Sequence, residues 1–219
     1  MSDIFREVEE EVKRDQAAQF LRKYGNLIGG ALVALVIGVG GYRGYEFWQQ
    51  KQAAEAGQKF ETALQFQQDG KLAEAKAQFE DLARTAPEGY RLLSRFRLAA
   101  ETAKSDAAAG IKAYEALAAD ATIEQTLRDL AIVRGAMLQV DTVPFAELRG
   151  RLDGLAQQGK AWRLSAREVL GLAAYKAGNL DEAGKSFEAI LADPEASQTT
   201  RQRAEVMMSL IRGGAAPAK

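Results

Sequence analysis

Between Lys23 and Arg43 the chain carries no charge. The interval, 24–42, reads YGNLIGGALVALVIGVGGY. As a helix rising about 1.5 Å per residue it spans roughly the 30 Å of a bilayer core. The alternative is a buried helix of a soluble domain, and the length, the glycine content and the flanks speak against it. Arg22 and Lys23 stand on one side; Tyr42, Tyr45, Phe47 and Trp48 stand on the other, as an interfacial aromatic belt does. The run is too long for a cleaved signal peptide, and the 23 residues before it hold six acids. The pattern predicts an uncleaved transmembrane signal anchor over 24–45.

The basic residues near each end set the orientation. Arg6, Lys13, Arg14, Arg22 and Lys23 precede the run; Arg43, Lys51 and Lys59 follow it. This predicts a cytosolic N-terminus and a C-terminal bulk outside, which in a bacterium is the periplasm. Residues 1–23 read as an acidic amphipathic arm, with Ile4, Phe5, Val8 and Val12 in one stripe and Glu7, Glu9, Glu10 and Glu11 off it. Within the span Gly30, Ala34, Gly38 and Gly41 share one helical stripe, a candidate helix-docking face. Glycine is also simply commoner in membrane helices.

The rest of the composition removes chemistry. There are no cysteines and no histidines, so disulfides, thiol nucleophiles, thiolate metal sites and imidazole bases are excluded. Net charge is −1, which gives no footprint for nucleic acid. No phosphate-binding glycine loop is present. The paired carboxylates Glu80-Asp81 and Asp181-Glu182 read as solvated surface. The expectation is a non-enzymatic protein with no cofactor, metal or small-molecule substrate. With 41 Ala and 4 Pro the chain is built for helix.

Residues 46–212 repeat with a period of about 35. The clearest unit runs Gly171, Tyr175, Gly178, Asn179, Ala183, Phe187, Ile190, Pro194. Ala63, Gly70, Ala75, Phe79, Leu82 and Pro87 occupy the matching places upstream. This resembles the tetratricopeptide repeat. A small residue (Gly171, Ala63) lets the two helices of a pair cross closely. Gly178 and Gly70 supply the left-handed turn between them. Ala183 and Ala75 sit where the helices touch, and Phe187 and Phe79 fill the space between repeats. Tyr114 and Leu152 divide the interval from Phe79 to Phe187 into three periods. The prediction is all-α: a single N-terminal transmembrane helix, then an α-solenoid of four helix pairs at about 52–86, 88–120, 122–159 and 161–193. The helix 196–212 caps the last apolar face, and 213–219 is a flexible tail.

A stack of repeats presents a groove lined by the first helix of each pair. The groove positions fall at Phe60, Leu64, Gln67 and Gln68 in the first repeat and at Glu168, Leu172, Tyr175 and Lys176 in the last. At any one of them ordinary packing between repeats is the alternative. Trp162 is placed to pack between the third and fourth repeats.

The acidic arm, Arg22-Lys23, the glycine-rich span, the exit Gly41-Tyr42-Arg43…Tyr45…Phe47-Trp48 and a strong final repeat together resemble the family of ancillary subunits of the SecYEG translocon (the YfgM type). That resemblance implies a single-pass protein of the bacterial inner membrane, N-terminus in the cytosol. It implies periplasmic repeats that associate with translocon subunits and a membrane-anchored periplasmic chaperone during protein export. Another envelope scaffold, in cell division, outer-membrane assembly or cytochrome maturation, would carry the same layout.

Overall fold

A computed structural model describes residues 2–214, except the side chains of 2–21, 25–29 and 31–33. The described residues form nine helices and no strand: α1 (Ser2–Gln68), α2 (Leu72–Thr85), α3 (Glu88–Ser105), α4 (Ala107–Ala119), α5 (Gln125–Gln139), α6 (Phe145–Leu152), α7 (Arg163–Lys176), α8 (Leu180–Leu191) and α9 (Gln198–Arg212). The chain divides into two units, Met1–Gly57 and Gln58–Lys219.

The first unit is the greater part of α1. From Leu35 to Trp48 it leaves Leu35, Val36, Ile37, Val39, Tyr42, Tyr45, Phe47 and Trp48 exposed. Among the described residues no helix is long and apolar enough to cross a membrane. The run 24–42 includes 25–29 and 31–33, whose side chains lie outside the described residues. The side chains of the arm 1–23 lie almost wholly outside them too, and so does the end of the tail, 215–219.

The second unit is a solenoid of helix pairs: the end of α1 with α2, α3 with α4, α5 with α6, and α7 with α8, followed by α9. Each helix from α2 to α9 packs on its neighbours in sequence, and α5 also meets α7. Helix starts follow local chemistry. Asp106, Asn179 and Ser197 cap α4, α8 and α9, each accepting the backbone N–H three residues on. Pro87 and Pro144 stand immediately before α3 and α6, where a missing N–H costs nothing. Gly70 and Gly178 turn the chain between paired helices with φ of 76° and 75°, a region that an L side chain enters only at a cost. At the second turn the Asn179 amide donates back to the Ala174 carbonyl at 2.9 Å, closing the end of α7.

The core repeats with the sequence. Phe79, Tyr114, Leu152 and Phe187 are all buried, and so are Ala75, Gly110, Leu148 and Ala183, four residues earlier in each case. Residues four apart share a helix face, so each second helix presents the same two-residue wedge to its pair. The wedge is filled differently each time. At Gly171 an added Cβ would stand 2.8 Å from the Phe187 ring, so the ring occupies the space a side chain would need. At Gly110 an added Cβ would stand 2.4 Å from the Ala103 Cβ. Here α3 and α4 cross near their shared turn. Burying a ring such as Phe187 contributes about 1.5–3 kcal/mol.

Candidate functional site

The groove residues of the first repeat separate. Phe60 is buried: its ring lies 5.4 Å from Phe79, edge to face, and 5.9 Å from Tyr90. It is a core residue, not a groove contact, because rings from α2 and α3 close over it. Leu64 is half-buried and Gln68 exposed. Gln67, half-buried, donates its side-chain amide to the Glu101 carboxylate of α3. Glu101 also accepts from Lys104 at 2.8 Å.

In the last repeat Glu168 and Leu172 line an open cleft of about 410 Å³ between α7, α8 and α9. Phe187, Gln202, Val206 and Met207 complete its walls. Glu168 is not free in the cleft. Both its carboxylate oxygens accept from the Arg203 guanidinium of α9, at 2.6 and 2.8 Å, which raises the Arg203 pKa. Tyr175 packs half-buried against the last core cluster. Lys176 reaches back across the groove and donates to the Asp141 carboxylate at 2.6 Å and to its carbonyl at 2.8 Å. The structure therefore brings Glu168 and Leu172 together, ties Lys176 to the preceding repeat and places Phe60 in the interior.

The small residues of the uncharged run of α1 lie open. Gly30, Ala34, Gly38 and Gly41 are exposed, and a Cβ on any of the three glycines would meet nothing within 4 Å. Trp162 packs between α5, α6 and α7, and its indole N–H donates to the Thr126 carbonyl at 2.6 Å, a tie from the fourth repeat to the third.

One constellation escaped the sequence reading. Asp193, almost fully buried after α8, accepts from Arg163 at 2.7 and 2.9 Å and from Arg167 at 3.1 Å. Arg163 also holds Glu195 at 2.6 Å. The hydrogen bonds from Arg163 hold the Asp193 carboxyl down at about 2 despite its burial, and the same bonds raise Arg163. Arg201 of α9 donates to the carbonyls of Leu191, Asp193 and Ala196 at 2.7, 2.6 and 3.1 Å. Three arginines thus satisfy the carboxylate and the backbone of the turn between α8 and α9. The available signal was Asp193 beside a proline that arrives one residue early for the repeat.

Asp120, at the end of α4, is a smaller case. Thr122 donates to it from both hydroxyl and backbone, and Arg95 donates at 2.7 Å, drawing its pKa down to about 2. These groups are spent on holding loops and repeat ends. What the array offers is surface: a row of first helices bearing apolar and paired charged side chains, suited to contact with another chain.

Searches of curated proteins and of solved structures find no match to this chain. A family model described as a tetratricopeptide repeat-like domain matches residues 18–210. That interval takes in the uncharged run as well as all four helix pairs and most of α9. With the repeat geometry above, it places the chain in the tetratricopeptide repeat-like domain family.

Proposed function

We propose that the protein is a non-enzymatic, membrane-anchored scaffold that binds other proteins, of the type that serves the Sec translocon. The protein-binding part follows from the family. The membrane part is supported by one observation: α1 leaves eight large apolar or aromatic side chains exposed between residues 35 and 48, all round the helix. Successive exposed apolar residues such as Leu35, Val36 and Ile37 cannot share one face at 100° per residue. A helix apolar on every side needs cover from lipid or from other helices. In this reading 24–45 crosses the inner membrane with its N-terminus in the cytosol, and the repeats work in the periplasm. Gly30, Ala34, Gly38 and Gly41 present a close-approach surface to a partner helix, and the groove holds a partner or client segment. By resemblance the partners are translocon subunits and a membrane-anchored periplasmic chaperone.

The test is purification of the full chain from membranes in mild detergent. Expected are retention in the membrane after alkaline carbonate and recovery of translocon subunits with a periplasmic chaperone. Release by carbonate removes the anchor. Recovery of division, outer-membrane-assembly or cytochrome-maturation proteins instead assigns the array to a different envelope scaffold. A reporter at Lys219 that is active only in the cytosol reverses the orientation.

A further inference from the structure

Helix α9 lies beside α7 at a shift of 35 residues, the spacing at which Glu168 meets Arg203. On one face burial follows that shift: Val169 and Ala173 of α7 are buried, and so are their counterparts in α9, Ala204 and Met208. On the adjoining face it does not. Gly171 and Ala174 are buried beneath α8, Gly171 against the Phe187 ring and Ala174 in one core cluster with Ala183. Arg167, on the same face, donates to the Ala189 carbonyl of α8 at 3.2 Å. The counterparts Gln202, Val206 and Ser209 are all exposed, Val206 by 59%. Each earlier first helix has a second helix after it; among the described residues α9 has none.

The four complete pairs show what fits on such a face. Fifteen or sixteen residues before Phe79, Tyr114, Leu152 and Phe187 stand Ala63, Ala99, Ala136 and Gly171, all buried. A small residue thus goes with a large one in every pair. Val206 holds the small residue's place in α9, 35 residues after Gly171. A Cβ at Gly171 would already stand 2.8 Å from the Phe187 ring, so the branched Val206 excludes a ring from the same position and leaves room for a side chain of alanine size. Charge narrows the choice further. Gln202, Val206 and Ser209 carry none, and both carboxylate oxygens of Glu168 are spent on Arg203 beside them, so a charged stripe laid on this face would be buried without a partner. The face is continuous with the interface between α7 and α8: Val206 and Gln202 share the open cleft with Phe187.

We propose that this end of the array receives an amphipathic helix of a partner protein, packed on α9 as α8 packs on α7, and that Val206 selects one whose contact stripe is uncharged and is small where α8 carries Phe187. The partner helix completes a fifth pair in trans. Gln202 and Ser209 keep the empty face wettable, so the helix comes and goes without baring a dry core. The proposal rests on the array being a protein-binding scaffold, not on the translocon assignment.

The test uses the full chain in mild non-ionic detergent. The probes are labelled synthetic helices, stapled on the outer face: the α8 sequence 180–191, the same helix with Phe187→Ala, and the latter with Ala183→Lys added. Expected is binding of the Phe187→Ala helix roughly tenfold tighter than the α8 sequence itself, the low end of what a forced side chain costs in a packed site. The lysine in the stripe abolishes binding. Val206→Gly restores the small residue of the other pairs and reverses the order of the first two helices. Val206→Ala, which keeps helix propensity, moves the preference the same way should the glycine variant loosen α9. Binding of neither helix, equal affinity, retention of the lysine helix, or an order that neither Val206 variant shifts overturns the proposal. So does a dimer of the full chain that Val206→Arg dissociates, which makes the occupant a second copy. A roughly tenfold gain in affinity on ending the chain at Gly214 also overturns it, since 215–219 would then be the competitor. Co-purification with translocon subunits is scored separately on the wild type. Selection of the small-stripe helix without those subunits keeps this surface and removes only the translocon partner; the converse removes only this surface.

Discussion

Replacing Gly110 by alanine tests the closest helix crossing in the array. The added Cβ would stand 2.4 Å from the Ala103 Cβ, 2.6 Å from its Cα and 2.9 Å from its backbone nitrogen. Two of those three atoms are main chain, so no rotamer change relieves the contact, and α3 and α4 must part by about 1 Å to reach ordinary carbon–carbon separation near 3.5–4.0 Å. Removing glycine from a helix interior returns about 0.5–1 kcal/mol, while forcing a methyl into a packed site costs roughly 1–3 kcal/mol. With backbone as the obstacle the upper half of that range applies. The expected net is a loss of about 1–2 kcal/mol, a fall in melting temperature of roughly 2–8 °C for a domain of this size. Thermal unfolding of the full chain in mild detergent, followed by far-ultraviolet circular dichroism, measures it. Gly184→Ala is the control: it lies within α8 with nothing inside 4 Å of an added Cβ, so it gains the propensity term alone, about 0.5–1 kcal/mol. Adding Ala103→Gly to Gly110→Ala restores only part of the loss, since the Cα and nitrogen contacts remain. If Gly110→Ala proves as stable as Gly184→Ala, the reasoning from this crossing fails.

Gly178→Ala has open space but the wrong backbone, with φ at 75°; it is expected to cost about 1–2 kcal/mol, measurable by the same melt. Asp193 makes the array acid-sensitive at one end. Its folded pKa is about 2 against an ordinary 3.8, so its contribution is complete above the ordinary value and is lost as pH falls from there through about 2. Melting temperature should drop over that window, and Asp193→Asn should melt lower at neutral pH with a shallower acid limb. An unchanged limb would assign the acid loss to other carboxylates, Asp120 first among them.

How much of the fold is legible in the sequence depends on whether a contact repeats. The phase Phe79, Tyr114, Leu152, Phe187 was legible because each residue fills the same space once per pair, so four weak signals at one period reinforce one another. That phase placed all four pairs and the cap. The short-range device at the second turn was less visible. Where the first and fourth pairs use glycine, the second passes from Ser105 to α4 through Asp106 alone, and that aspartate accepts the Ala109 amide at 2.9 Å. Phe60 was misplaced because a periodic position says which face a residue occupies, not whether an aromatic from the next helix covers it; Tyr90 does. The Asp193 cluster left one trace in the sequence, the early proline beside the aspartate, and none of its arginine partners. Its arginines come from two different helices, about 30 and 8 residues away in sequence, so neither spacing nor composition brings them together.

The arginines around Asp193 change what the end of this array is. In a stack held by apolar faces alone the terminal unit has one neighbour fewer and loosens first, helix by helix. Here α9 cannot peel away without withdrawing Arg201 from three carbonyls, and the turn it grips carries the carboxylate that neutralises Arg163 and Arg167 inside α7. Loosening the cap would leave two guanidinium groups and an aspartate half-solvated in a closed site, so α7, α8 and α9 open as one block or remain shut. A tug on the C-terminus is then carried straight to α7, one face of the cleft, and the strength of that end is all-or-none, not graded.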